Sequence, residues 1–178
     1  NSFLTIDAGF TQGYKKKDDK KSDGNRTHFF SNFITNILDD QEKKSSLEIN
    51  VEKVSNDTYL KVYDVESSLV DTDKMVLENK IDFIYQNKDF YFGLTPSVYE
   101  DTTKTAHKRH EYLLPLTIEK NLMSSEKFGF LDLGSNLRFR SYETNKQTDF
   151  FVNDFNRKSN KWLNKFGFTN HMEALVKT

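Results

Sequence analysis

Along most of this chain apolar and polar residues alternate one for one. Leu47, Ile49 and Val51 interleave with Glu48, Asn50 and Glu52. Successive side chains leave a β-strand on opposite faces, so this segment has one apolar and one polar face. The pattern returns over Phe128 to Ser141, with Leu131, Leu133, Leu137 and Phe139 on one side and Asp132, Gly134, Asn136, Arg138 and Arg140 on the other. The same reading predicts strands at Leu4 to Phe10, Phe29 to Leu38, Leu77 to Tyr85, Phe90 to Tyr99, Tyr112 to Lys120, Phe150 to Phe155 and Phe166 to Val176. Helical spacing fits none of these as well. Taking Leu47 to Tyr63 as one strand with an excursion at Ser55-Asn56-Asp57 gives about nine strands in an antiparallel up-and-down meander.

The connections are rich in Lys, Asp, Asn and Ser, and their lengths alternate. Lys15 to Asn25, Val65 to Lys74 and Asp101 to His110 are long, whereas Asp39 to Lys44, Gln86 to Lys88 and Met123 to Lys127 are short. Long loops at one end, short turns at the other and two-faced strands of about 9–11 residues are the signature of an outer-membrane β-barrel.

Composition sharpens this. Only 35% of the residues are apolar, against the usual 45–50% or so counted with Gly, yet there are 16 Phe and 8 Tyr, too many rings for a disordered polymer. A closed barrel resolves the conflict, because inter-strand bonds satisfy the backbone in lipid and only every second side chain must be apolar. No run approaches the roughly 20 apolar residues of a membrane helix. With 26 basic and 27 acidic groups the net charge is -1, which disfavours a nucleic-acid partner. The absence of Cys rules out a disulfide scaffold and any Cys-built metal site. The start at Asn1, with no Met and no basic-then-apolar leader, fits either a removed signal peptide or an excised piece; both ends fall inside structured segments, so the expectation is an excised interior piece of a larger barrel, an open sheet forming a single partial domain over residues 1–178.

The cost of a charge assigns the faces. Arg or Lys facing lipid at mid-bilayer costs about 2–4 kcal/mol. Glu48, Asn50, Glu52, Asp132, Asn136, Arg138 and Arg140 are therefore expected to face the lumen, and Leu47, Ile49, Val51, Leu131, Leu133, Leu137 and Phe139 to face outer-membrane lipid. A soluble periplasmic β-sandwich that binds a ligand or partner explains the alternation alone equally well. Loop-length alternation favours the barrel, as do aromatics near strand ends (Tyr14, Phe29, Tyr85, Tyr112, Trp162) and the scarcity of Gly/Pro-rich turns. A porin-like passive channel is a further alternative.

Two prolines sit inside strands, where a missing N–H weakens the ladder. A symmetric Asp101–His110 loop would place Pro96 opposite Pro115. Catalytic chemistry is absent: no nucleophile elbow, no Gly-rich phosphate loop and no Ser/His/acid cluster is recognisable. His107 and His110, three apart in a basic loop, lack the further ligands a metal needs. The chain is thus expected to be non-enzymatic, with no cofactor.

Particular strings carry a resemblance. LEINVEKVSNDTYLKVY (Leu47 to Tyr63), FYFGLTPSVYED (Phe90 to Asp101), YLLPLTIEKNL (Tyr112 to Leu122) and NDFNRKSNKWLNKFGFTNHMEALVKT (Asn153 to Thr178) resemble, in order and spacing, the barrel of the LptD family of LPS-assembly proteins. The resemblance implies a Gram-negative outer-membrane component that receives lipopolysaccharide from a periplasmic bridge protein, releases it into the outer leaflet and encloses the plug lipoprotein LptE. The family's periplasmic jellyroll, closing strands and cysteines are not recognisable here, and no individual functional residue is carried over.

Overall fold

The structure, a computed structural model, describes residues 1–11 and 26–178; Tyr14 and the Lys15–Asn25 connection lie outside the described residues. The protein is all-β. Among the described residues its strands are β1 (Ser2–Thr11), β2 (Arg26–Asp39), β3 (Lys43–Val54), β4 (Val76–Asn87), β5 (Phe90–Leu94), β6 (Ser97–Asp101), β7 (His110–Ser125), β8 (Gly129–Tyr142), β9 (Lys146–Lys158), β10 (Trp162–Leu163), β11 (Thr169–Asn170) and β12 (Glu173–Lys177), with a short α-helix, α1 (Tyr59–Tyr63), and a single 3-10 turn at Ala106–Lys108. Ten strands make one antiparallel sheet of order β1-β2-β3-β4-β5-β7-β8-β9-β12, with β6 also pairing β4 and β7.

β5 and β6 occupy one position. β4 pairs Phe83 with Leu94 and Lys80 with Ser97, and β7 pairs Leu116 with Leu94 and Leu113 with Ser97. The register is therefore continuous across the lapse at Thr95-Pro96, and the sheet has nine strand positions. Among the described residues it is open: β1 and β12 form its two edges and the sheet does not close into a barrel.

Three expectations need correction. Leu47 to Tyr63 is not one strand. β3 ends at Val54, and Asn56 Oδ1 then accepts the Thr58 amide at 3.0 Å and its hydroxyl at 2.8 Å, a side-chain turn that competes with the ladder and leads into α1. Phe166 to Val176 is likewise interrupted, because Gly167 adopts φ 82° and only Glu173–Lys177 joins the main sheet. The length alternation also fails at its last pair. The turn between β8 and β9, at the long-loop end, spans three residues, while residues 159–172, at the short-turn end, form a long connection.

The sheet is a single layer. The chain exposes 13134 Å², against about 9,000 Å² for a folded monomer of this mass. Among the described residues the buried apolar cluster consists of Phe30, Val54, Tyr59, Leu60, Val70 and Leu77, with Val65 and Leu69 packed on it. It forms where the 55–75 connection folds back over the strands. The alternating apolar rows do not make a dry centre: Leu4, Ile81, Phe139, Phe151 and Val176 are each at least 39% exposed.

Candidate functional site

Residues paired across an antiparallel ladder share a face, so the register settles which side chains lie together. One row reads Thr35, Leu47, Phe83, Leu94, Leu116, Leu137, Phe151. Along the strands, Ile49, Val51, Leu131, Leu133 and Phe139 join it. All seven residues read from sequence as lipid-facing thus share one face. Across the opposite face runs Thr5, Asn32, Asn50, Lys80, Ser97, Leu113, Arg140, Thr148. Glu48, Glu52, Asp132, Asn136 and Arg138 fall on that polar face with Asn50 and Arg140.

The polar face is organised by hydrogen bonds between neighbouring strands. Glu48 accepts Asn32 Nδ2 at 3.2 Å and pairs with Lys80 Nζ at 3.3 Å. Arg140 forks onto Glu111, with Nε to Oε1 at 2.7 Å and Nη2 to Oε2 at 3.1 Å, and its guanidinium lies 4.5 Å from the Tyr142 ring centre. Such a planar two-point pair fixes both side chains. Asn136 Oδ1 accepts the Thr117 hydroxyl at 3.1 Å, and Asp132 accepts Asn121 Nδ2 at 2.7 Å. Arg138 is exposed and, among the described residues, makes no ion pair, so it is a polar-face cation open to a ligand, as is Lys44 near the short-turn end.

Glu52 has a different role. It is only 3% exposed, and its carboxylate accepts Lys74 Nζ at 2.8 Å, the Glu78 amide at 2.8 Å and Asn50 Nδ2 at 3.0 Å. The β3–β4 ladder stops at Asn50–Lys80. Beyond it the Asn79 side-chain amide replaces the missing strand contact, accepting the Glu52 N–H at 2.9 Å and donating to the Glu52 carbonyl at 3.2 Å. Glu52 therefore holds the splayed strands and Lys74 of the long connection together, and is not free to meet a ligand.

That connection, residues 55–75, lies over the polar face at its long-loop end. His28, opposite Gly9 and Val54, stacks on Phe30 with ring centres 4.8 Å apart. Its Nδ1 is 3.1 Å from Tyr59 Oη and its Nε2 is 3.2 Å from Asp7 Oδ1. Gly9 gives the ring its room, since a Cβ there would lie 2.3 Å from His28 Cε1. On the far side Arg109 bridges Asp57 of the connection and Glu100 of β6. Hydrogen bonding to Asp57, helped by the charge of Glu100 and opposed by burial, raises the Arg109 pKa above its ordinary value, so the strap stays charged at this end. Periodicity could not reveal this cover, because its anchors are single residues spread over five elements.

The polar face also carries a basin of about 480 Å³ near the short-turn end, lined by Tyr91, Glu119, Asn121, Asp132, Asn136 and Asp154. The apolar face carries an apolar groove of about 660 Å³ that includes Ile49, Val51, Ile81, Val98, Leu114 and Phe139. Hollows on both faces are those of a strongly twisted sheet. Among the described residues no group of acidic or His side chains could hold a metal ion, and no helix is long and apolar enough to cross a membrane. No protein-family model, curated protein or solved structure matches the chain.

Proposed function

We propose that this chain is an interior portion of a large outer-membrane β-barrel whose apolar face meets lipid and whose polar face lines a wet lumen through which lipopolysaccharide passes to the outer leaflet. The observation that carries the reading is the unbroken apolar row from Leu47 to Phe151, which has no second layer packed on it among the described residues. Exposing that row to water is unfavourable by roughly 25 cal/mol per Å², and lipid removes the cost without a second protein layer. The height agrees. Phe90 to Val98 on the apolar face is eight residue steps, roughly 27 Å at about 3.4 Å per residue and roughly 21 Å after a 40° tilt, near the ~25 Å apolar band of such barrels. Tyr85 and Tyr112 occupy this face near its two rims, where an aromatic girdle sits.

Transport of lipopolysaccharide, with a plug lipoprotein in the lumen and a periplasmic bridge protein as donor, rests on the string resemblance and on the chemistry of the polar face. Arg138 offers a cation and Asn136 an amide to phosphorylated sugars, while the Asp132 carboxylate can accept hydrogen bonds from sugar hydroxyls. The chain acts as scaffold and conduit, without catalysis. The test is photo-crosslinking in the outer membrane from a probe at Asn136 or Arg138 and, separately, at Leu133. Lipopolysaccharide adducts from the first two and phospholipid adducts from the third are expected. Equal adducts from both faces would overturn the reading, and the absence of lipopolysaccharide from the polar face would leave a passive channel.

A soluble β-sandwich is the second reading, favoured by the 660 Å³ groove, into which a second layer or an apolar ligand would fit. Partition of the chain into the aqueous phase after detergent extraction decides for it.

A further inference from the structure

The longest connection at the short-turn end is a built hairpin. β10 and β11 pair Trp162 with Asn170 and Leu163 with Thr169. Asn164 closes the tip: its Oδ1 accepts the amides of Phe166 at 3.0 Å and Phe168 at 2.9 Å, and its own amide donates to the Phe168 carbonyl at 2.9 Å. Gly167 supplies the positive φ of 82° that the tip needs. At the base, the Ser159 amide donates to the Met172 carbonyl at 2.9 Å, and Asn160 Nδ2 donates to the carbonyls of Ser125 and Glu126 in the neighbouring β7–β8 turn.

This ordered hairpin presents its apolar side chains outward. Phe166 is 85% exposed, Leu163 70%, Met172 68%, Phe168 66% and Trp162 45%. A patch of this kind marks an interaction site. A second observation says what it meets: from Phe155 to Met172 there is no carboxylate, while Arg157, Lys158, Lys161 and Lys165 are all cationic, in a chain whose net charge is -1. Lys158 is neutralised by Glu173 at 2.6 Å. Lys161 and Lys165 flank the aromatic tip.

We infer that residues 161–168 form an interfacial anchor, with Trp162, Phe166 and Phe168 seated in the headgroup region and Lys161 and Lys165 on the phosphates of anionic phospholipid. Aromatic rings with an apolar body settle at the membrane interface, and lysines there are drawn to negative lipid within a Debye length. Which leaflet it meets rests on the barrel reading: the hairpin lies at the short-turn end, the periplasmic side of such barrels, where the leaflet is phospholipid.

Trp162 is the only tryptophan, so its fluorescence reports the hairpin alone. The whole chain is refolded with vesicles of phosphatidylcholine, with or without phosphatidylglycerol. Trp162 is then quenched with acrylamide from water and with brominated phospholipid from the bilayer, while protease protection reports the strands. A blue shift, loss of acrylamide quenching and gain of bromolipid quenching are expected, strongest with phosphatidylglycerol. Lys161→Gln with Lys165→Gln should remove that lipid preference, and Phe166→Ser with Phe168→Ser should remove the blue shift, with strand protection unchanged in both. Protected strands with Trp162 open to acrylamide on both vesicles would overturn the anchor while sparing the barrel, and would leave the hairpin to a soluble partner. Unprotected strands with Trp162 shielded only on phosphatidylglycerol would keep the anchor and sink the barrel; unprotected strands with an accessible Trp162 would overturn both.

Discussion

The backbone amide of Thr95 donates to the carbonyl of Pro115 at 3.2 Å. The two prolines are therefore neighbours offset by one residue, on opposite faces, because the hairpin closes with Glu100 opposite His110 and so centres on Thr105. In a strand the N–H and C=O of one residue point the same way, so Pro115 also turns its missing N–H toward Thr95. Pro115→Ala would return that donor. The gain of about 0.5–1.5 kcal/mol for a hydrogen bond is offset by about 0.4–1 kcal/mol of lost chain stiffness. Global stability should change by less than about 1 kcal/mol, while hydrogen exchange at Thr95 slows. Unchanged exchange would mean that the lapse is fixed by Pro96 alone.

The face assignment predicts asymmetric tolerance of charge. Leu133→Arg puts a cation on the apolar face at a cost of about 2–4 kcal/mol in mid-bilayer and should block membrane assembly. Asn136→Arg loses one side-chain hydrogen bond with Thr117, about 1 kcal/mol, and should assemble. Heat-modifiability on a gel distinguishes them. Identical behaviour of the two variants would refute the two-face assignment.

How much of this was legible depends on the range of the interaction. Leu47-Glu48-Ile49-Asn50-Val51 and Leu131 to Arg140 declare their faces locally, because the period of two is a property of the strand itself, and the nine strand positions follow from such runs. Tyr59–Tyr63 did not show as a helix. Five residues hold no helix alone, and this turn exists because Tyr59 and Leu60 bury against Phe30, Val54 and Leu77. The polar signal Asn56-Asp57-Thr58 before it is a local turn signal, but the period of two resumes beyond it at Tyr59 to Tyr63 and masks the break. Glu52 was assigned to its face by period, but its burial depends on Lys74 and Asn79, which no local pattern connects to it.

The cover over the polar face hinges on Tyr59, 3% exposed with its hydroxyl 3.1 Å from His28 Nδ1. Tyr59→Phe removes one hydrogen bond and should loosen the cover by about 1 kcal/mol. Tyr59→Ala opens a cavity in the small cluster and should cost about 3–5 kcal/mol locally. Limited proteolysis between residues 55 and 75 reads both. The Phe variant should be cut slightly faster than the unmodified chain and the Ala variant far faster, with strand protection retained. Equal cutting of all three would show that the cover is held elsewhere.

The turn from β8 to β9 carries a pH dependence of known sign. Glu143, at φ 37°, pairs with Lys146, and Thr144 donates its hydroxyl to the His107 carbonyl at 2.7 Å, docking this turn on the neighbouring loop. The hydrogen bond from Lys146, reinforced by its charge, lowers the Glu143 pKa below the ordinary carboxylate value. A depressed folded-state pKa means that the turn's stabilisation is complete above the unfolded value, about 4.3 for Glu, and is lost as pH falls through the lower folded value. Exchange at the Thr144 amide should therefore, after correction for intrinsic rate, be independent of pH between pH 6 and 7 and rise once the pH drops below about 4. Glu143→Gln should abolish that rise and exchange faster at neutral pH, because the charge-assisted bond is gone at every pH. The same acid-dependent rise in the Gln variant would place the titrating group elsewhere, with Asp101 at the start of the neighbouring loop, whose pKa the hydrogen bond from the Thr103 hydroxyl lowers, the next carboxylate to test.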